Sequence, residues 1–130
     1  MDDAHAEARR CLQRFVSGWL AGSRPAVADV CRPAVRWWTP LASEHLEGAD
    51  ELSIHLDALL QDVVPPVEIT ALIVNDQGTR GVVEMLSAAA DDGTPSIPLT
   101  TVVELSGGKV VEGRTYVDVT AHPSLCRTRS

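Results

Sequence analysis

Glu84 is the residue of this sequence best suited to move a proton. It stands in the run Val82-Val83-Glu84-Met85-Leu86, four residues before Ala88. Strand alternation that turns Val82, Leu86 and Ala88 inward turns the carboxylate inward with them. An ionised carboxylate among apolar neighbours must be paired, wetted by a pocket or raised in pKa, and a raised pKa suits acid–base work near neutrality. The opposite register sends Glu84 to solvent. His55 offers a second titratable group beside an apolar helical stripe, either projecting into a cavity or touching water at the boundary. Thr101 and Thr115 share inward parity on neighbouring strands, where they can bind a substrate, hold a water or satisfy each other. In the run Val35-Arg36-Trp37-Trp38-Thr39 one parity turns Arg36 and Trp38 inward, the first toward Glu84 and the second as a wall. The other buries Trp37.

These side chains need a scaffold, and the hydrophobic pattern provides one. Ala8, Cys11, Leu12, Phe15, Val16, Trp19 and Leu20 recur at helical spacing, with Glu7, Arg9, Arg10, Gln13 and Arg14 on the other face. Gly22, Ser23 and Pro25 end that helix and start a shorter one, closed by Pro33. A short strand over 35–39 stops at Pro40, and a helix over about 50–62 carries Leu52, Leu56, Leu59 and Leu60. After Pro65-Pro66 the period changes. Segments 67–74, 80–90, 99–105 and 109–120 read as strands, separated by Asn75-Asp76-Gln77-Gly78, Asp91-Asp92-Gly93 and Ser106-Gly107-Gly108. Helices first and antiparallel strands afterwards make an α+β fold.

The chain of 130 residues has room for one domain, with an ordered core over about 4–120 and a tail over 121–130. Its 11 Lys and Arg face 18 Asp and Glu, a net charge of −7 that disfavours nucleic acid and anionic membranes. No apolar run reaches the roughly 20 residues of a bilayer span, and the acidic first residues do not resemble a secretory signal. The expectation is a cytoplasmic protein. Cys11, Cys31 and Cys126 form no close pair and His5, His45, His55 and His122 are scattered, so reduced thiols are expected and no metal site. No cofactor motif is present.

Three segments carry a resemblance to a known family. They are the long first helix leading to a short helix and a single strand, the helix start Gly48-Ala49-Asp50-Glu51-Leu52, and the paired ending Val103-Glu104-Leu105-Ser106-Gly107-Gly108-Lys109-Val110-Val111-Glu112-Gly113-Arg114-Thr115-Tyr116-Val117-Asp118. In this order the chain resembles the SnoaL-like branch of the nuclear transport factor two superfamily, over about residues 4–119. The resemblance implies a strongly curved, mostly antiparallel sheet whose N-terminal helices close a cone-shaped cavity. It also implies the inward parity of Arg36 and Trp38, by similarity to limonene-epoxide-hydrolase-like members. In the Asp-Arg-Asp set of those hydrolases the Arg falls here on Val82, the first Asp on Glu84 and the second Asp on Thr115, so two of the three groups are missing, a departure that speaks against their mechanism. Tyr116, the one tyrosine, has the wrong parity for an inward oxyanion donor.

The reading is therefore a cofactor-independent cyclase or isomerase of secondary metabolism acting on a small apolar organic substrate. Glu84, Arg36 and His55 are the expected catalytic residues; Trp38, Thr101, Thr115, Trp19 and Leu86 the expected substrate contacts. Arg114 and Tyr116, on the convex side of the last strand, are expected at a homodimer interface. The alternatives are an epoxide-hydrolase-like or dehydratase activity in the same pocket, or a non-catalytic ligand-binding or accessory dimer module.

Overall fold

The computed structural model describes residues 2–40, 44–62, 67–87 and 98–117. The expected turn at 91–93, Ala88, Cys126 and the tail over 121–130 lie outside the described residues. Helix α1 (Asp2–Leu20) buries Ala8, Cys11, Leu12, Phe15, Val16 and Trp19 and leaves Glu7, Arg9, Arg10, Gln13 and Arg14 exposed. Ser23 then caps α2 (Arg24–Asp29), its hydroxyl accepting from the Ala26 amide at 3.4 Å. Strand β1 (Cys31–Trp38) starts directly after α2. It is longer than the expected 35–39 because Pro33 sits inside a register irregularity rather than ending a helix. A two-residue strand β2 (Leu46–Glu47) precedes α3 (Ala49–Asp62), which buries Leu52, Leu56 and Leu59.

Strands β3 (Val67–Val74), β4 (Arg80–Ser87), β5 (Pro98–Ser106) and β6 (Lys109–Val117) complete one curved, unclosed sheet of six strands in the order β2-β1-β6-β5-β4-β3. Every neighbouring pair is antiparallel except β1–β6. Gly107 and Gly108, at φ 58° and 73°, form the tight β5–β6 turn that requires a positive φ at both centres. The helices lie against the inner side of the sheet, and the core sits between them.

Which side of each strand faces that core differs from expectation on three strands. On β4 the buried set is Gly81, Val83 and Met85, so Val82, Glu84 and Leu86 face outward. Both parities of β4 are rich in apolar residues, and the carboxylate decides between them by keeping its water. On β6, where alternation back from the inward Thr115 would run through Gly113 to Val111, a bulge opposite Glu104 and Leu105 turns Val110 inward instead, while Gly113 and Thr115 keep that parity. On β1 the buried residues are Val35 and Trp37, and Arg36 and Trp38 are exposed.

The β1 choice is set by its partner. Trp37 pairs in register with Gly113, and the indole lies across the glycine, where any Cβ would overlap the ring. Trp37 stacks on Phe15 at 5.6 Å between centroids and is completely buried. Filling the position above Gly113 with a large ring is thus what ties α1, β1 and β6 into one core. Gly113→Ala is expected to destabilise the protein by about 1–3 kcal/mol through that overlap. Urea unfolding checks it, and an unchanged midpoint would show that the indole moves aside without loss.

Candidate functional site

Among the described residues, the inner face of the sheet is apolar except at one place. Thr101 and Thr115 are paired in register across β5 and β6, and both are buried, at 1% and 2% exposure. Trp37 reaches over Gly113 and donates its indole Nε1–H to Thr115 Oγ1 at 2.7 Å. His55, half-buried on α3, brings Nε2 to 3.5 Å from the same oxygen. A threonine hydroxyl has one proton to give. Trp37 takes one of the two lone pairs of the Thr115 oxygen, so the hydroxyl can still either donate its proton to His55 Nε2 or accept Nε2–H from it, according to the tautomer.

Burial pushes the His55 pKa down from 6.5 to about 4, because charging the ring would strip it of water. At neutral pH the imidazole is therefore uncharged, with a lone pair on one of its two ring nitrogens. Thr101 Oγ1 completes the group. It is buried and has no hydrogen-bond partner among the described residues. A hydroxyl left so loses about 1–3 kcal/mol, and such groups mark places where a water or ligand belongs. His55, Thr115 and Thr101 thus form a neutral patch with an acceptor, an oriented hydroxyl and an unused hydroxyl, bordered by Trp37 on one strand and by Val83, the β4 register partner of Thr101, on another.

The other expected site residues lie elsewhere. Glu84 is exposed on the outer side of the sheet, opposite Thr100, so the carboxylate trapped among apolar side chains does not exist. Arg36 also faces outward, where it pairs with Glu112 rather than with Glu84 and lies over the Trp38 ring at 5.6 Å. Trp38 is 38% exposed and stacks on His45 at 5.4 Å, so it is no wall of an inner cavity. Leu86 shares the outward parity of Glu84 and is half-buried. Trp19 is buried at 2% exposure and donates Nε1–H to the Leu56 carbonyl at 2.9 Å, which makes it a core residue linking α1 to α3. Arg114 and Tyr116 stand on the outer side as their parity predicts.

Trp37 is the member that sequence reasoning missed. Its signal was the glycine at 113, the one small residue between larger inward positions on β6. A strand glycine marks a close approach by something bulky. Among the described residues no group of His, Cys, Asp or Glu is gathered that could hold a metal ion, and no helix is long and apolar enough to cross a membrane. Cys11 and Cys31 are free and buried, and burial pushes the Cys31 thiol up to about 12.

Helices packed on one side of an unclosed, curved, mostly antiparallel sheet define an α+β fold like that of a nuclear transport factor two-like protein from Burkholderia xenovorans. The SnoaL-like domain model matches residues 12–113, and the chain belongs to that family. Comparison with curated protein sequences gives no match. Among solved structures, a steroid delta-isomerase from Pseudomonas aeruginosa superposes with a TM-score of 0.76 at 15% identity, over 95% of this chain and 89% of the other. A candidate SnoaL-like polyketide cyclase from a Jannaschia species gives 0.68 at 24% identity, over 92% and 91%. A de novo designed protein with a curved β-sheet gives 0.74 at 21% identity, over 95% and 94%. At these identities the likeness is one of fold.

The depressed His55 pKa has a stability consequence with a defined sign. Between about pH 4 and 6.5 the folded protein holds the imidazole neutral while the unfolded chain protonates it. Acidification through that window therefore removes stability, at most about 3 kcal/mol in all, and the contribution is intact above it. Urea unfolding of the wild type is expected to fall more steeply with acid than that of His55→Gln. Equal acid slopes would mean that the ring is charged in the folded state.

Proposed function

We propose that the chain is a cofactor-independent enzyme acting on a small carbonyl compound, an isomerase or cyclase in reaction type, with the His55–Thr115–Thr101 patch as its active site. The observation that carries this reading is the buried, unpartnered Thr101 hydroxyl beside an imidazole held neutral. Family membership supports it, as does the fold shared with a steroid delta-isomerase and a candidate polyketide cyclase.

The chemistry follows from the groups present. In the tautomer that donates Nε2–H to Thr115, His55 Nδ1 takes a proton from the carbon next to the substrate carbonyl, and the electron pair moves onto the carbonyl oxygen. Thr101 donates its hydrogen bond to that oxygen, where charge develops. The imidazolium then returns the proton to another carbon of the same molecule, so no water or second reactant is consumed. A base with a pKa near 4 is deprotonated at neutral pH and gives the proton back readily, which suits transfer within one substrate. Thr115 is a positioning residue that holds the imidazole through its hydroxyl, itself held by Trp37.

A panel of β,γ-unsaturated ketones, steroid and monocyclic, tests the proposal by the absorbance of the conjugated enone formed. His55→Gln is expected to lower kcat by about 10²–10⁴-fold, and Thr101→Val to lower it less, while Glu84→Gln leaves it unchanged. Loss of turnover in Glu84→Gln with retention in His55→Gln would overturn the assignment. Saturable binding without turnover of any member would make the same patch the ligand site of a non-catalytic module.

A further inference from the structure

The outer face of the sheet holds a cleft that shares one lining residue, Thr115, with the inner patch. Trp38–Arg114 is the final β1–β6 register pair. Beyond it, a space of about 550 Å³ lies between Trp38 and Pro40 on one side and Pro98, Thr100 and Tyr116 on the other. Small-molecule pockets span about 300–1,000 Å³, so the cleft has room for a ring system. Its walls combine Trp38, Tyr116 and two prolines with three threonines (Thr39, Thr100 and Thr115), and the Arg114 guanidinium is the one charged group in its lining.

The charge pattern around it is uneven. Arg36 is paired with Glu112. Arg80 donates Nε–H to Glu104 Oε2 at 2.8 Å, and Arg114 reaches only the same oxygen, at 3.9 Å. One carboxylate oxygen is thus shared by two guanidinium groups, and the nearer one holds it. Arg114 keeps donors for the cleft it lines, in the planar fork that matches a carboxylate. Glu84 faces the same side opposite Thr100 and repels a second negative charge at that end. Trp38 is braced by His45 and Arg36, so it presents a fixed wall, whereas Tyr116 is 52% exposed and available for contact.

We propose that this cleft is a second ligand site that takes a planar aromatic monocarboxylate, with its carboxylate on Arg114 and its ring against Trp38 and Tyr116. Aromatic walls and one under-neutralised arginine recognise that chemistry, while the nearby Glu84 disfavours dianions.

Calorimetric titration with 1-naphthoate and its neutral isostere 1-naphthamide tests it. The wild type is expected to bind naphthoate about 10-fold or more tighter than naphthamide, as befits a charge-assisted contact. Arg114→Gln is expected to erase that preference, and Arg14→Gln, on the far side of the fold in its own pair with Asp29, to keep it. Equal affinity of the wild type for both probes, or no binding of naphthoate at millimolar concentration, overturns the proposal. Should Arg114→Gln fail to fold by circular dichroism, Tyr116→Ala decides instead, through an expected loss of affinity for both probes. Sedimentation covers the rival occupant. A dimer dissociated by Tyr116→Ala and indifferent to naphthoate would assign the face to a second copy and overturn the ligand site.

Discussion

The hydrogen bond from the Trp37 indole to Thr115, made across the bare backbone of Gly113, is the constraint on which the structure turns. It fixes β1 against β6, the one parallel pairing of the sheet. By burying Trp37 it forces Arg36 and Trp38 outward, since neighbours on a strand point to opposite faces. It also occupies one of the two acceptor sites on the Thr115 oxygen and so leaves the hydroxyl its second lone pair and its proton with which to meet His55. One side chain thus organises the core, sets the orientation of the outer charges and prepares the inner polar patch.

The two faces of the sheet divide the chemistry between them. Arginine and glutamate side chains on β1, β4, β5 and β6 stand outside, where they pair in water and contribute little to stability. The inner face admits polarity only in uncharged form, as two hydroxyls, an indole N–H and a neutral imidazole. Desolvation explains the division, because a hydroxyl can be buried for about the value of one hydrogen bond and a lone charge cannot. The site therefore works by placement of neutral dipoles rather than by a buried ion.

Much of the architecture was legible in the sequence. The helical period of α1, the Gly48 helix start and the Gly107-Gly108 turn each prescribe a backbone conformation locally, and each is found. Thr101 and Thr115 were placed inward correctly, and His55 was placed beside the stripe it adjoins. The failures share a cause. On β4, Val82 and Leu86 compete with Val83 and Met85, and on β1 two tryptophans are adjacent, so alternation alone has two solutions. The tie is broken by tertiary partners, Leu12 against Gly81 and Trp37 over Gly113, that no local pattern contains. The bulge on β6 and the two-residue β2 escape detection because neither leaves a periodic trace.

The parallel β1–β6 seam also dictates an order of events in folding. Arg36 and Glu112, which face each other across it, are separated by 76 positions in the chain. The β3–β4 and β5–β6 hairpins close short loops and can form early, whereas β1 must wait for the last strand before it gains its inner neighbour. On a ribosome the first helices and β1 emerge long before that strand exists. Until then the Trp37 indole has no groove to enter, and the nascent N-terminal half carries an unsatisfied strand edge and an exposed aromatic surface of the kind that chaperones bind.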